Sequence, residues 1–149
     1  AFSGGQGTYT VEFEPYATSL EQKGDGYVVA SLGEASGYVP YTAFSAKKSY
    51  LEENPEIIRK FVNALKKGME FVDSHTSEEI AKAISPQFKE TDGEALAIIV
   101  ERYKAQDSWK SDLVFTEEAF TLLQNILEEA GELSQRVPYE DLVNMDFVK

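Results

Sequence analysis

Two contrasting residue patterns divide the chain and constrain its fold most strongly. Residues 1–46 are rich in glycine, tyrosine and β-branched residues, whereas the remainder carries helical periodicity and repeated helix-start signals. Within the first part, apolar runs bounded by glycine and proline turns predict strands at 8–13, 27–31 and 38–45. The chain should therefore have a few strands at its N-terminal end and then be mostly α-helical.

Helix-start signals recur in the second part of the chain. An asparagine, a proline and a glutamate at 54–56 combine a cap, a first-turn proline and a charge that favours the helix dipole. This helix should run to Asp73, and no strand is expected in 54–105. Further helices are predicted at 15–22, after capping boxes at Thr76–Glu79 and Thr91–Glu94, after Thr116, and at Pro138–Asn144, with a loop at 33–37.

The first predicted strand carries the best candidates for a binding site. Side chains two residues apart share a face of a strand, so two hydroxyls and two carboxylates should lie together: Thr8, Thr10, Glu12 and Glu14. The aromatic and apolar residues between them form the predicted buried face. Pro15 can begin a helix directly afterwards, and α/β proteins hold small polar ligands where a strand ends beside a helix N-terminus. The alternative interpretation is the solvated face of an edge strand.

Composition excludes several classes of partner and site. A net charge of −12 argues against binding to nucleic acid or anionic lipid. The absence of cysteine excludes a disulfide scaffold, a zinc-thiolate site and cysteine catalysis. No run of about 18 apolar residues is present. Because the sequence starts at Ala1 without a signal peptide, we interpret it as a processed or trimmed piece from which any export signal would be lost.

No catalytic or metal site is predicted. The glycine cluster near the N-terminus lacks the lysine of a phosphate-binding loop, and His75 has no evident nucleophile or orienting carboxylate. Glu12 and Glu14 on one strand would leave no cleft between them for general acid–base chemistry. Their combination with Glu34 lacks the spacing of a calcium loop. We therefore predict no cofactor. Trp109 is predicted to be either a core residue or a platform on which a ligand stacks.

Several short motifs follow one another along nearly the whole chain. They are Gly-Thr-Tyr-Thr-Val-Glu-Phe-Glu-Pro-Tyr-Ala at 7–17, Gly-Tyr-Val-Val-Ala-Ser-Leu-Gly at 26–33, Val-Pro-Tyr-Thr at 39–42, Asn-Pro-Glu at 54–56, Phe-Val-Asn-Ala at 61–64, and two closing motifs at 130–133 and 137–143. In this order they resemble the C-terminal half of the nitrate, sulfonate and thiamine-precursor (taurine-like) substrate-binding proteins of ABC importers. No single motif is diagnostic, but the ordered set is specific.

The resemblance implies an α/β fold of the type II periplasmic-binding-protein kind, of which this chain is a part. Members of the family have two lobes that close on a solute. By analogy, residues 1–46 supply the strand-rich end of the second lobe and, at 38–44, the crossover back to the first lobe. Residues 47–149 supply a helical segment that would pack on the first lobe, which is missing here. The two parts are treated as one folded piece.

The function implied by the resemblance is non-catalytic capture of a small polar solute by the extracytoplasmic component of an ABC importer. The importer's permease would be its partner, and it would lie in the periplasm or on the cell surface as an anchored lipoprotein. The implied ligand-binding residues are Thr8, Thr10, Glu12, Glu14, Ser36 and Tyr41. Relatives often carry an acidic residue where Thr8 stands, which leaves the ligand class open.

The carboxylates favour one ligand class. They would accept hydrogen bonds from amino groups and repel an oxyanion, so a thiamine-precursor-like pyrimidine is preferred over nitrate, a sulfonate or taurine. Removing the charge of Glu14 should then weaken ligand binding and hardly change stability, since its side chain is expected to be exposed. Two other functions stay open, namely an enzyme of the same fold in pyrimidine or thiamine-precursor biosynthesis and an acidic helical interaction domain.

The missing lobe has consequences for the isolated chain. Half of the ligand cleft would be absent, so these residues alone should bind ligand weakly. Surfaces that the first lobe would cover should also be exposed, and we expect self-association through the crossover or the helix at 54–72.

Overall fold

The computed structural model describes residues 1–148, which form α-helices, two short 3₁₀ turns and no β-strand or β-bridge. The α-helices are α1 (Tyr16–Lys23), α2 (Leu32–Ser36), α3 (Lys48–Glu53), α4 (Pro55–Ser74), α5 (Ser77–Ile84), α6 (Gly93–Ala105), α7 (Glu117–Glu129) and α8 (Tyr139–Leu142). The 3₁₀ turns are Phe2–Gly4 and Ser85–Gln87. In the described part of the chain, no helix combines the length and the hydropathy needed to cross a membrane.

Three of the predicted helix-end signals form in the structure, whereas α1 (Tyr16–Lys23) and α8 (Tyr139–Leu142) differ in their bounds from the predicted 15–22 and Pro138–Asn144. The Thr76 hydroxyl accepts from the Glu79 amide at 3.3 Å, and the Glu79 carboxylate accepts from the Thr76 amide at 3.0 Å, which completes the capping box of α5. Thr116 caps α7 by accepting from the Ala119 amide at 3.2 Å. Gly24 ends α1 with a φ of 74°, a left-handed conformation that glycine adopts without a steric penalty.

The cap of α6 lies one residue later than predicted. Asp92, rather than Thr91, accepts from the Ala95 amide at 2.8 Å. Both residue types make good caps, and the backbone geometry selects the second of them. The shift leaves the apolar face of α6 buried, and its buried residues are Ala95, Leu96, Ile99 and Val100.

The strands predicted at 8–13, 27–31 and 38–45 do not form within the described residues. A strand is stabilised by ladder hydrogen bonds to a neighbouring strand and by an apolar layer on one face, and these segments join no ladder. The residues predicted to be buried in the first segment are exposed, namely Tyr9, Val11 and Phe13. The predicted loop at 33–37 is mostly the helix α2. The α/β binding-protein fold therefore stays a prediction.

The first of two compact units comprises Ala1–Leu32 and Phe71–Trp109. Its core lies where α5 packs on α6, and α1 also packs on α6. The most deeply buried side chains of this unit are Ile80, Leu96 and Val100. The Lys104 ammonium donates to the carbonyls of Val72 and His75 at 3.1 and 2.7 Å, which satisfies acceptors at the end of α4.

The second unit comprises Gly33–Glu70 and the described part of 110–149. Three rings meet edge to face in this unit, with pairwise centroid distances of 6.0, 6.4 and 5.8 Å: Phe115, Phe120 and Tyr139. The buried Gln124 amide donates to the Val137 carbonyl at 3.2 Å and accepts from its amide at 2.8 Å, which ties α7 to the segment before α8. Neither unit ends at residue 46, and the predicted division there stays a prediction.

The apolar face of α4 is only partly covered. No residue of this helix is buried, and Ile57 and Phe61 are 53% and 42% exposed. The Phe44 ring meets Phe61 edge-on at a centroid distance of 5.0 Å. Self-association through this helix or through 38–44 stays a prediction.

Candidate functional site

Arg102 on α6 forms hydrogen bonds to residues of α1 and of the chain just before it, and we call Arg102, Glu14, Thr18 and Glu21 the Arg102 cluster. The guanidinium donates to three side chains, at 2.6 Å to Glu14, 3.2 Å to Thr18 and 2.6 Å to Glu21. These three residues are spaced by four and three positions, which places them on one side of α1 and its N-terminal extension. The Glu14 carboxylate also accepts from the Thr18 amide at 3.0 Å, which satisfies a donor in the first turn of the helix.

The Arg102 cluster is largely withdrawn from water. The Glu14 side chain is 6% exposed, the Arg102 side chain is 23% exposed, and Thr18 is buried. Burial of Arg102 acts to lower its pKa, but hydrogen bonds to Glu21 and Glu14 outweigh this effect and raise the pKa above its ordinary value. Glu14 and Arg102 therefore compensate each other's desolvation.

The expectation that Glu14 is exposed is wrong. Its carboxylate is committed to a guanidinium and a helix amide, whereas Thr8, Thr10 and Glu12 lie in the open. The residues next to Glu14 could not indicate this burial, because the opposing charge belongs to Arg102, 88 positions further along the chain. Removing the charge of Glu14 should therefore lower stability, which reverses the expectation from sequence. A ligand-binding role for this residue stays a prediction.

The Glu21 carboxylate binds both Arg102 and the segment that follows α1. Its carboxylate accepts from the Val28 amide at 2.8 Å. This backbone hydrogen bond, followed by the hydrogen bond from Arg102, lowers the pKa of Glu21 below its ordinary value despite partial burial. Further along, the Ser31 hydroxyl donates to the Gln106 side chain at 2.8 Å. The segment 27–31 is thus attached near both ends to the helices of the first unit.

The lowered pKa of Glu21 predicts a pH-dependent contribution to stability. A carboxyl group whose pKa is lower in the folded state stabilises the fold above its unfolded-state pKa of about 4.3, and this contribution is lost as the pH falls through the folded-state value. We expect Glu21→Gln to lower the free energy of unfolding at pH 7, and the difference from wild type to shrink at roughly pH 3. Urea unfolding of both proteins at pH 7 and at roughly pH 3 measures the difference in the free energy of unfolding. The same difference at both pH values would contradict the lowered pKa of Glu21. The control is Glu52→Gln, which removes an exposed carboxylate from α3.

Thr8, Thr10 and Glu12 lie on the exposed segment 8–13. The Thr10 hydroxyl donates to the Glu12 carboxylate at 2.9 Å, which agrees with the predicted placement of alternate side chains on one side. A carboxylate has room for several donors, so Glu12 can accept further hydrogen bonds from an amino group. The Thr10–Glu12 pair is therefore the part of the predicted site that keeps an open carboxylate.

Ser36 and Tyr41 belong to the second unit. The Ser36 hydroxyl lies at the end of α2 and donates towards the carbonyls of Gly33 and Gly37, at 3.2 and 3.4 Å. The Tyr41 side chain is exposed. The structure thus joins Thr10 to Glu12, places Glu14 in the Arg102 cluster, and assigns Ser36 and Tyr41 to a different unit.

His75 and Trp109, the other two residues considered as site candidates from the sequence, both pack against aromatic side chains. The His75 ring stacks on Phe71 at a centroid distance of 3.8 Å, and its Nδ1 lies 2.9 Å from the Phe71 carbonyl oxygen. Trp109 is 37% exposed and meets Tyr103 edge to face at 5.6 Å, so it partly covers the first unit rather than lying free of it. Among residues 1–148, no group of three or more metal-ligating side chains is arranged to hold an ion.

An open groove of about 980 Å³ runs along α5 and α6. Its apolar lining includes Ala81, Ala97 and Ile98. Of its charged lining residues, Arg102 belongs to the cluster and Glu101 accepts from the buried Ser77 hydroxyl at 2.5 Å. In the described residues, every buried side-chain nitrogen and oxygen has a hydrogen-bond partner. The groove therefore presents no unsatisfied buried group to a ligand.

Arg102 is the residue that sequence reasoning missed. The available signal was the spacing of Glu14, Thr18 and Glu21, which matches one face of a helix rather than one face of a strand. Interpreting the first carboxylate as the end of a strand concealed this spacing. The signal could have indicated that a basic residue is needed opposite α1, but not which one.

Comparison with known proteins relates the whole chain to a binding protein. The chain is 42% identical over its 149 residues to a Bacillus subtilis (strain 168) protein named "Putative binding protein YtlA". It spans 45% of the length of that relative. No protein-family model matches the chain, and no solved structure matches it. The similarity agrees with a binding protein in general and leaves the family and the ligand undefined.

Proposed function

We propose that this chain is part of the extracytoplasmic solute-binding component of an ABC importer, which captures a small polar ligand without catalysis. The observation that carries the proposal is the 42% identity, along the whole chain, to a protein named as a binding protein. The importer class is proposed because the ordered sequence motifs resemble those of the importers' substrate-binding proteins. The proposed partner is the importer's permease, and the proposed location is the periplasm or the cell surface.

Glu12 is the proposed ligand carboxylate. Its side chain is exposed and accepts one hydrogen bond from Thr10, whereas the neighbouring Glu14 is committed to Arg102. A negative charge beside the Thr10 hydroxyl favours an amino-bearing heterocycle and repels an anion. The proposed ligand class is therefore a thiamine-precursor-like aminopyrimidine rather than nitrate, a sulfonate or taurine.

The proposed role of Glu12 is tested by removing its charge. Glu12→Gln keeps the shape and loses a charge-assisted hydrogen bond, so the affinity of the complete protein for an aminopyrimidine should fall roughly ten- to hundredfold. Its stability should hardly change, because the residue is exposed in this chain. Titration calorimetry gives the affinity and urea unfolding gives the stability.

The matched control is Glu52→Gln, which removes an exposed carboxylate from α3 and should leave both quantities unchanged. Wild-type affinity in Glu12→Gln would contradict the assignment of this carboxylate to the ligand.

A further inference from the structure

Positive charge is concentrated in one stretch of this acidic chain. Residues 47–67 carry six of the 14 lysines and arginines but only three of the 26 acidic residues. Within this stretch, 59–67 has four cations and no acidic residue. The net charge of −12 for the whole chain therefore does not describe this part of its surface.

The four cations of 59–67 surround Asn63 on the polar side of α4. Residues three and four positions apart are neighbours on a helix surface, and all four such neighbours of Asn63 are basic: Arg59, Lys60, Lys66 and Lys67. All five residues are exposed. At a rise of about 1.5 Å per residue, the cations extend over about 12 Å of the helix axis. We call these five residues the basic face of α4.

Most of the charge on the basic face is available to a partner. Arg59 pairs with Glu56 at 2.5 Å, but three ammonium groups take part in no ion pair within residues 1–148, namely those of Lys60, Lys66 and Lys67. Glu70 lies one turn beyond Lys66 and ends the basic face on that side. Three ammonium groups on one side of a single helix can therefore act together on an anionic partner.

The basic face is separate from the apolar face of α4. Phe61 and Leu65 are each two positions from Asn63, which places them on nearly the opposite side of the helix. A protein surface that covers the apolar face would leave the basic face in water. The inference that follows is therefore independent of the covering of the apolar face, and also of the proposed ligand.

The kind of cation favours a phosphate-rich surface as the partner. A lysine ammonium is a point charge that binds phosphate without a fixed orientation, whereas the planar fork of arginine is suited to bidentate recognition of carboxylates. The arginine of the basic face is already paired with Glu56. Clustered lysines are attracted to anionic lipid leaflets, and each lysine near the surface adds to this attraction.

We propose that the basic face of α4 binds the anionic phospholipid headgroups of a membrane surface. The net charge argues against such a partner for the chain as a whole, but charges more than about 8 Å apart are largely screened from each other at physiological ionic strength. The acidic residues beyond this distance therefore repel the membrane only weakly when the basic face touches it.

Co-sedimentation with lipid vesicles tests the proposal. The 149-residue chain should bind vesicles of phosphatidylglycerol and phosphatidylcholine mixed in about equal parts, and should not bind pure phosphatidylcholine. The triple variant Lys60→Gln, Lys66→Gln and Lys67→Gln should bind roughly a hundredfold more weakly, since each lysine at an anionic surface contributes about fivefold. Circular dichroism shows whether the chain is folded in each sample. Absence of binding to the anionic vesicles by the folded chain would overturn the proposal.

A second triple variant separates the basic face from the effect of net charge. Lys82→Gln, Lys89→Gln and Lys110→Gln remove the same charge from exposed positions outside α4, and together they should change binding by less than about twofold. Equal losses in the two triple variants would overturn the assignment, as would equal binding to both kinds of vesicle. Displacement by soluble polyglutamate at the same concentration of anionic groups would indicate an acidic polypeptide instead and would overturn the choice of a membrane.

A dye on a single cysteine identifies the side of α4 that meets the vesicle. The chain has no cysteine of its own, so the position of the dye is unique. Binding to the anionic vesicles should shield a dye on Asn63→Cys from quenching by acrylamide and leave a dye on Phe61→Cys accessible. Equal shielding of the two dyes, or shielding of the second alone, would contradict binding through the basic face.

Discussion

Replacing Arg102 with methionine should strongly destabilise the first unit. The substitution preserves much of the aliphatic volume but leaves Glu14, whose side chain is 6% exposed, without its cation. Removing one partner of a buried ion pair costs about 3–5 kcal/mol, and the partial exposure of Arg102 favours the lower end of this range. Urea unfolding followed by far-ultraviolet circular dichroism measures the loss.

A surface ion pair of the same kind provides the control for Arg102→Met. Arg59 pairs with Glu56 at 2.5 Å, but their side chains are 56% and 75% exposed. Pairs this exposed contribute at most about 1 kcal/mol, so Arg59→Met should be nearly neutral. Similar losses in the two variants would contradict the buried character of the Arg102 cluster.

A double-mutant cycle separates the ion pair from general damage. Once Arg102 is methionine, Glu14→Gln removes a carboxylate that no longer has its cation, and it should cost less than it does in wild type. The difference should be at least about 1 kcal/mol if the two groups compensate each other's desolvation. Additive losses would indicate that the two side chains act independently.

Leu96→Ala should have the second large effect. Leu96 is 2% exposed on α6, in the core between α5 and α6. Truncating a buried leucine removes its transfer free energy and leaves a cavity, at a total of about 2–5 kcal/mol. Ile98→Ala is the matched control on the same helix, because Ile98 is 42% exposed and should cost clearly less. Urea unfolding measures both, and equal losses would contradict the assigned core.

Helices were predictable because their signals are local. The Thr76 capping box and the Gly24 terminator each act within a few residues, and both form as predicted. The shift from Thr91 to Asp92 at the start of α6 shows the limit of such signals, since two adjacent residues could each serve as the cap.

Strands and ion pairs were less predictable because they depend on distant residues. The alternation at 8–13 correctly placed Thr10 beside Glu12, but alternation alone provides no ladder partner. Likewise, nothing near Glu14 indicates that its cation is Arg102, 88 positions away. Of the candidate site, the sequence could thus indicate the neighbouring pair Thr10 and Glu12 but not the burial of Glu14, and a ligand-binding role for these residues stays a prediction.

Titration calorimetry of the complete protein that carries this chain tests the proposed function most directly. The protein should be titrated separately with an aminopyrimidine of the thiamine-precursor type, with nitrate and with an alkanesulfonate that has no amino group. Capture of an amino-bearing heterocycle predicts saturable one-to-one binding of the aminopyrimidine and no measurable binding of either anion. Binding of nitrate or of the alkanesulfonate without binding of the aminopyrimidine would contradict the account.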